Sequence, residues 1–166
     1  MNLADILTLY EYNYWANKRI LAAAAKLSPE QLAAAAAFPW GGLRGTLVHT
    51  LDAEFGWRSF LQHGAWPEEL KESDFATFEH LMKRWQDEES LMREYLASLE
   101  DAVMAETKRY TTETGLKRER LLWHCLFHVV NHGTQHRSEA AALLTDFAQS
   151  PGDMDFTYFL TETKRV

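Results

Sequence analysis

A single cysteine, Cys125, stands among 166 residues, so no intramolecular disulfide framework is possible and stability must come from a packed core. Proline and glycine are sparse, at four and eight, which leaves long stretches without helix-breaking residues. Basic residues are outnumbered, 17 against 24 acidic ones, for a formal net charge of −7. No Lys/Arg stripe or cluster is present, which argues against nucleic-acid backbones and anionic membranes as partners. No apolar run approaches the roughly 18 to 20 residues of a membrane-spanning helix. Asp5 and Glu11 interrupt the N-terminal stretch, and no apolar run follows a basic start, so a secretory signal is not expected. Glycine-rich phosphate loops, Ser/His/Asp arrangements and CxxC pairs are also missing. What is there, 46% apolar and 25% charged residues, suits one globular domain spanning residues 1–166, with a cytoplasmic location as the default.

Apolar periodicity predicts four long helices. Residues 2–26 form the first, with Leu3, Ile6, Tyr10, Asn13, Asn17, Ile20 and Ala24 along one stripe. The two asparagines are either hydrogen-bonded core amides or neighbours of a ligand pocket. Ser28-Pro29-Glu30-Gln31 is a capping-box start for a short alanine-rich helix ending before Pro39. The second long helix runs from about Leu43 to Gln62 and stops near Gly64. His49, Ala53, Gly56, Phe60 and His63 form its inward seam, whose small residues leave room beside His49. Glu54 and Arg58 read as a surface i, i+4 pair. Ser73 caps a third helix from about Asp74 to Ser98, and residues 109–115 suit a short extended segment. The fourth helix spans about Lys117 to Gln149. The aromatic tail after Gly152 is too apolar to stay free and should pack back on the helices. The expectation is an all-α four-helix bundle with one longer crossover connection near residues 100–116.

The fourth helix carries His124, His128, His132 and His136, four of the seven histidines, each four residues after the last. Each such step advances about 40° around a helix. With His136 at zero, Leu122, Cys125, Val129, Gly133, Ala140, Leu143 and Phe147 fall within about 60° of it. His132 and His136 therefore lie in the apolar stripe, His128 at its edge and His124 mostly outside. A facing helix must supply any third ligand, and His49 is the best placed. Three imidazoles and an open position suit zinc, nickel or a similar divalent ion. Periodicity alone leaves a hydrogen-bonded core pair equally open. His128 is an alternative ligand, or a supporting partner, should the helix phase differ by half a turn. His63, His80 and His124 read as surface or edge residues. Cys125 faces inward nearly three turns from His136, where a buried thiol is inert.

LYEYNYWANKRIL (Leu9 to Leu21), LVHTLDAEFGWRSFL around His49 and HVVNHGTQHRSEA (His128 to Ala140) resemble, in this order, segments of the DinB-like (damage-inducible, YfiT-type) four-helix-bundle proteins. That resemblance implies a divalent metal held by three histidines, which map onto His49, His132 and His136. Some relatives are transferases that use a low-molecular-weight thiol, with the metal holding the sulfur as thiolate toward an electrophilic substrate. Dimers are common among such proteins, so a homodimer is expected. The alternatives are a metal-binding stress-response protein without turnover and a metal-dependent hydrolase using an activated water. The family often has glycine after the HR pair, where this chain has Ser138 and then Glu139. About 60° from His136, Glu139 is placed to accept from an imidazole N–H. Trp15, Asn17 and His128 are the candidates to line the pocket.

Overall fold

The computed structural model describes residues 1–112 and 114–165. Its order is α1 (Leu3–Ala24), α2 (Pro29–Leu32), α3 (Leu43–His63), α4 (Phe78–Ala97), β1 (Thr107–Thr111), β2 (Lys117–Leu121), α5 (Leu122–Asp146) and α6 (Phe156–Glu162). The chain is mostly helical with one small two-stranded antiparallel sheet. Among the described residues, no helix is long and apolar enough to cross a membrane.

Local chemistry sets most boundaries. Asn2 and Asp5 exchange side-chain and backbone hydrogen bonds in a capping box that opens α1. Gly64 closes α3 with a left-handed φ of 76°, a conformation that suits glycine. Three expected boundaries move. Ser28 and Gln31 do form their capping box, but α2 lasts a single turn, because Ala35 pairs with Gly42 instead of continuing the helix. The third long helix starts at Phe78, capped by the Thr77 hydroxyl, while Glu72–Asp74 form a separate 3-10 turn. Residues 117–121 are strand, not helix, paired Tyr110 to Arg118 and Thr107 to Leu121, so α5 begins at Leu122. The extended segment expected over 109–115 is the β1 side of this hairpin, and Glu113 within it lies outside the described residues.

The core divides into two apolar clusters, one holding Ile6, Tyr10, Phe60, Met92, Leu126 and Val130, the other Ile20, Leu47, Leu51, Leu81, Ala140 and Leu144. On α1 and α5 the first cluster comes earlier in sequence, and on α3 and α4 it comes later. α1 and α5 therefore run one way, and α3 and α4 the other. The crossover consequently lies not at 100–116 but between α3 and α4. The 64–77 connection returns along α3: Trp66 stacks on Phe60, Leu70 N–H donates to Asp52, and Arg44 donates to the carbonyl oxygens of Glu72 and Phe75.

Between the two clusters, all four long helices bury polar side chains: Asn13, Asn17, Glu54, Arg58, Glu88, His136 and Arg137. Glu54 and Arg58 thus do not form a surface pair. Arg58 instead makes a two-pronged ion pair with Glu88 of α4, and Glu54 accepts from Asn13 of α1 at 3.1 Å. The C-terminal segment does pack back. Phe159 of α6 is buried, Phe156 meets the Tyr12 ring edge-on at 5.3 Å, and the Tyr12 hydroxyl donates to Met154 O at 3.0 Å.

Candidate metal centre

His132 and His136 stand one turn apart on α5, at the level of the buried polar layer, and α3 brings His49 against them. The three imidazoles point their Nε2 atoms at one another, 3.2 Å from His49 to His132 and 3.2 Å from His132 to His136. All three ligand atoms lie within 4.8 Å of one another. Two imidazole nitrogens about 2.0–2.1 Å from one tetrahedral ion would be about 3.3 Å apart. His136 Nδ1 lies 2.8 Å from Glu139 Oε2. A carboxylate only accepts, so Nδ1 carries the proton there, which orients Nε2 toward the centre as the ligating atom. Hydrogen bonds among the three rings cannot satisfy all three converging Nε2 atoms at once, since one N–H serves one lone pair. A cation can, and this donor set fits one.

Burial, reinforced by the nearby His136, pushes His49 down to about 4. Burial first, then His136, His49 and His128, takes His132 to about 3. Both rings are therefore neutral near pH 7, the state in which imidazole ligates.

His49 is held from outside by Trp40, whose indole stacks on it with ring centroids 3.5 Å apart and planes 14° from parallel. Glycine makes that contact possible. A Cβ on Gly45 would lie 2.0 Å from Trp40 O, so only glycine lets the 40–42 loop close on the first turn of α3.

Behind the site, Arg137 is buried and directs its guanidinium to α1. Nη1 donates to the side-chain oxygens of Asn13 and of Asn17 (2.8 Å), and Nη2 donates to Thr134 Oγ1 (2.9 Å). The two asparagines in the α1 stripe are thus core amides serving this arginine. Gly133 leaves the space, since a Cβ there would lie 2.7 Å from Arg137 Nη1 and 3.0 Å from Asn13 Oδ1.

In front of His49 opens a cleft of about 610 Å³. One wall is the α3 seam of His49, Asp52, Ala53, Gly56 and Trp57. The returning 64–77 connection supplies Trp66, Pro67 and Glu69, and the hairpin supplies Tyr110 and threonines 111, 112 and 114. A substrate-sized volume therefore borders His49, one of the three converging histidines.

The DinB family model matches residues 1–165. This chain belongs to the DinB family. It is also similar to Protein DinB of Bacillus subtilis (strain 168), 26% identical over 170 aligned positions that cover 95% of this chain and 96% of that protein.

Within this DinB-family fold, the residues singled out from sequence separate into distinct places. His49, His132 and His136 come together, with Glu139 on His136. His128 is exposed and lies outside that cluster, its ring 5.3 Å from Trp57 and 5.6 Å from His132. Asn17 serves Arg137 and is not among the residues lining the cleft. Trp15 is also absent from the lining, packing instead against Phe159 of α6 (5.6 Å) under the Arg19 guanidinium (4.4 Å). Cys125 is buried, with its thiol pushed up to about 11 by that burial. Sequence reading missed Trp40, Trp57, Trp66 and Tyr110. Each lies in a loop, in a strand or outside its helix's main stripe, and the one available signal was the aromatic content of the loops flanking α3.

Proposed function

We propose that this DinB-family protein is a metal-dependent transferase that joins a low-molecular-weight thiol to an electrophilic substrate. In this reading the four long helices form the family's four-helix bundle, and His49, His132 and His136 hold a divalent ion, zinc or nickel. When bound, that ion supplies Lewis-acid stabilisation of a thiolate at neutral pH. The protein's own residues do the rest. Glu139 fixes the tautomer of His136, Trp40 fixes the plane of His49, and the Arg137 network anchors α5 against α1 so that His132 and His136 keep their spacing. The cleft beside His49 receives the electrophile and shields the reacting groups from bulk water.

The observation carrying this reading is the convergence of three Nε2 atoms at a centre whose His49 lines an open, substrate-sized cleft. An ion held by three imidazoles would retain a free position for a thiol or water, whereas a purely structural site is closed by a fourth protein ligand. Zinc and nickel content of the purified protein, beside His132→Ala, tests the ligand set. About one ion per chain, lost in the variant, is expected, and full retention of metal by the variant overturns the assignment. Conjugation of a generic electrophile with a panel of thiols then tests the chemistry. Metal-dependent conjugate formation is expected. Product release without thiol would identify a hydrolase, and metal-loaded protein inert toward every thiol would point to a binding role in stress response.

A further inference from the structure

The hairpin concentrates positive charge. Its strands hold five basic residues and one acidic one, Glu119, in a chain whose formal net charge is −7. The register sets Lys108 opposite Arg120 and Tyr110 opposite Arg118, so three cations and a tyrosine share one side. Like charges in direct opposition destabilise a strand pair. Lys108 is answered by Glu106 at 3.0 Å, and Arg109, on the other side, by Glu119 at 2.6 Å. Arg118 donates to Lys117 O (3.4 Å) and Arg120 Nη1 to Glu119 O (2.7 Å), and among the described residues neither meets a carboxylate. The Nε and Nη2 edge of Arg120 is left without a partner among them. Arg120 and Tyr110 border a second cavity, of about 590 Å³, together with Trp57 of α3 and Trp123, His124 and Phe127 from the first two turns of α5. None of the described residues lining it is aspartate or glutamate. Trp57 and Tyr110 meet edge-to-face at 5.3 Å and also line the cleft beside His49. His124 accepts from Leu121 N–H at Nδ1 (3.4 Å), so its neutral ring carries a proton on Nε2 as a further donor.

We propose that this second cavity binds a small aromatic carboxylate, with its carboxylate on the Nε and Nη2 edge of Arg120 and its ring among Trp57, Tyr110, Trp123 and Phe127. A guanidinium edge presents two parallel N–H groups that match the two oxygens of a carboxylate. Aromatic walls receive a flat ring edge-on or offset and remove its apolar area from water. A planar monoanion suits the site better than a phosphate dianion, because Arg120 is the one lysine or arginine among the described residues lining the cavity. The site is independent of the transferase reading, since His49, His132 and His136 do not line this cavity.

Calorimetric titration of 2-naphthoate, 2-naphthamide and acetate into the full-length protein varies charge and ring separately. The naphthoate should bind about tenfold or more tightly than the amide, as a charge-assisted hydrogen bond provides, with acetate weakest. In Arg120→Gln the naphthoate should fall to the amide's affinity while the amide's own affinity stays put. Arg120 is exposed and its bond runs to a neighbouring carbonyl, and unchanged amide binding reports an intact cavity. Phe127→Ala, at another exposed position, should weaken naphthoate and amide alike by about fivefold. Equal affinities of naphthoate and amide in the wild type, or no naphthoate binding at millimolar concentrations, would overturn the proposal. So would a naphthoate preference that survives Arg120→Gln, or affinities unmoved by Phe127→Ala. A 2-naphthyl phosphate that binds about tenfold more tightly than the naphthoate would assign the site to phosphate monoesters and overturn the carboxylate. The titration repeated in His132→Ala separates this cavity from the metal centre. A naphthoate preference kept there supports the site, and one lost there places the carboxylate at the histidines and overturns it.

Discussion

Removing the carboxylate behind His136 gives the sharpest test of how this centre is built. Glu139 accepts from His136 Nδ1 at 2.8 Å, with the histidine side chain 5% and the glutamate side chain 17% exposed. A hydrogen bond to a charged partner is worth roughly 1.5–3 kcal/mol, and each 1.4 kcal/mol is tenfold in affinity. Glu139→Ala forfeits the whole contact and leaves a buried N–H without an acceptor, so zinc affinity should fall about 100-fold. Glu139→Gln keeps an acceptor of the same reach but loses the charge, and about tenfold is expected. Both values fall within the 10–100-fold that outer partners of metal-bound histidines usually contribute. A competition titration against a chromophoric chelator at pH 7.5 measures the effect. Thermal melts of the metal-free variants serve as the folding control, and His124→Ala is the variant expected to change nothing. Zinc binding within twofold of wild type in both Glu139 variants would refute the reasoning. A loss in Glu139→Gln as deep as in His132→Ala would make Glu139 a ligand in its own right.

Two other predictions concern the polar layer that supports the site. Burial first, and the nearby Glu88 carboxylate second, raise Glu54 from 4.5 to about 7. The folded state thus holds this proton to higher pH than the unfolded chain does. Glu54 is neutral in both states below 4.5, and its ionisation opposes folding increasingly as pH rises to 7. The gap of about 2.5 corresponds to at most about 3 kcal/mol. Urea unfolding of the metal-free protein should therefore show Glu54→Gln gaining on the wild type by up to that amount between pH 5 and pH 8. The buried histidines tilt stability the other way and cancel in the comparison; parallel pH profiles for the two proteins would contradict the burial argument. Gly133→Ala forces a methyl into the space of the Arg137 guanidinium, which four partners hold in place. A net loss of about 1–2 kcal/mol in unfolding free energy is expected, overpacking outweighing the roughly 1 kcal/mol that alanine gains in a helix. A stabilised variant would mean that Arg137 yields freely.

Periodicity within one helix was enough to single out His132 and His136 from a ladder of four, because a drift of about 40° per step carries His124 and His128 off the apolar stripe. The same reasoning placed His49 on a seam with small neighbours, and capping chemistry placed the start of α2. Each of these depends on forces acting within a few residues. Elsewhere, the deciding partner came from another part of the chain. Glu54 and Arg58 satisfy the i, i+4 rule for a surface pair, yet Asn13 and Glu88 face them from α1 and α4, and the spacing within α3 does not reveal which of its polar positions those neighbours cover. Lys117–Leu121 has enough charge for a helical face, and only its pairing with Thr107–Thr111 makes it strand. The direction of α4, and with it the return of residues 64–77 over the α3 seam, was equally out of reach. Sequence thus determined which histidines could meet. Tertiary packing decided that a tryptophan would lie on one of them and a carboxylated, aromatic cleft would open beside them, since both depend on where a loop crosses a helix laid down earlier in the chain.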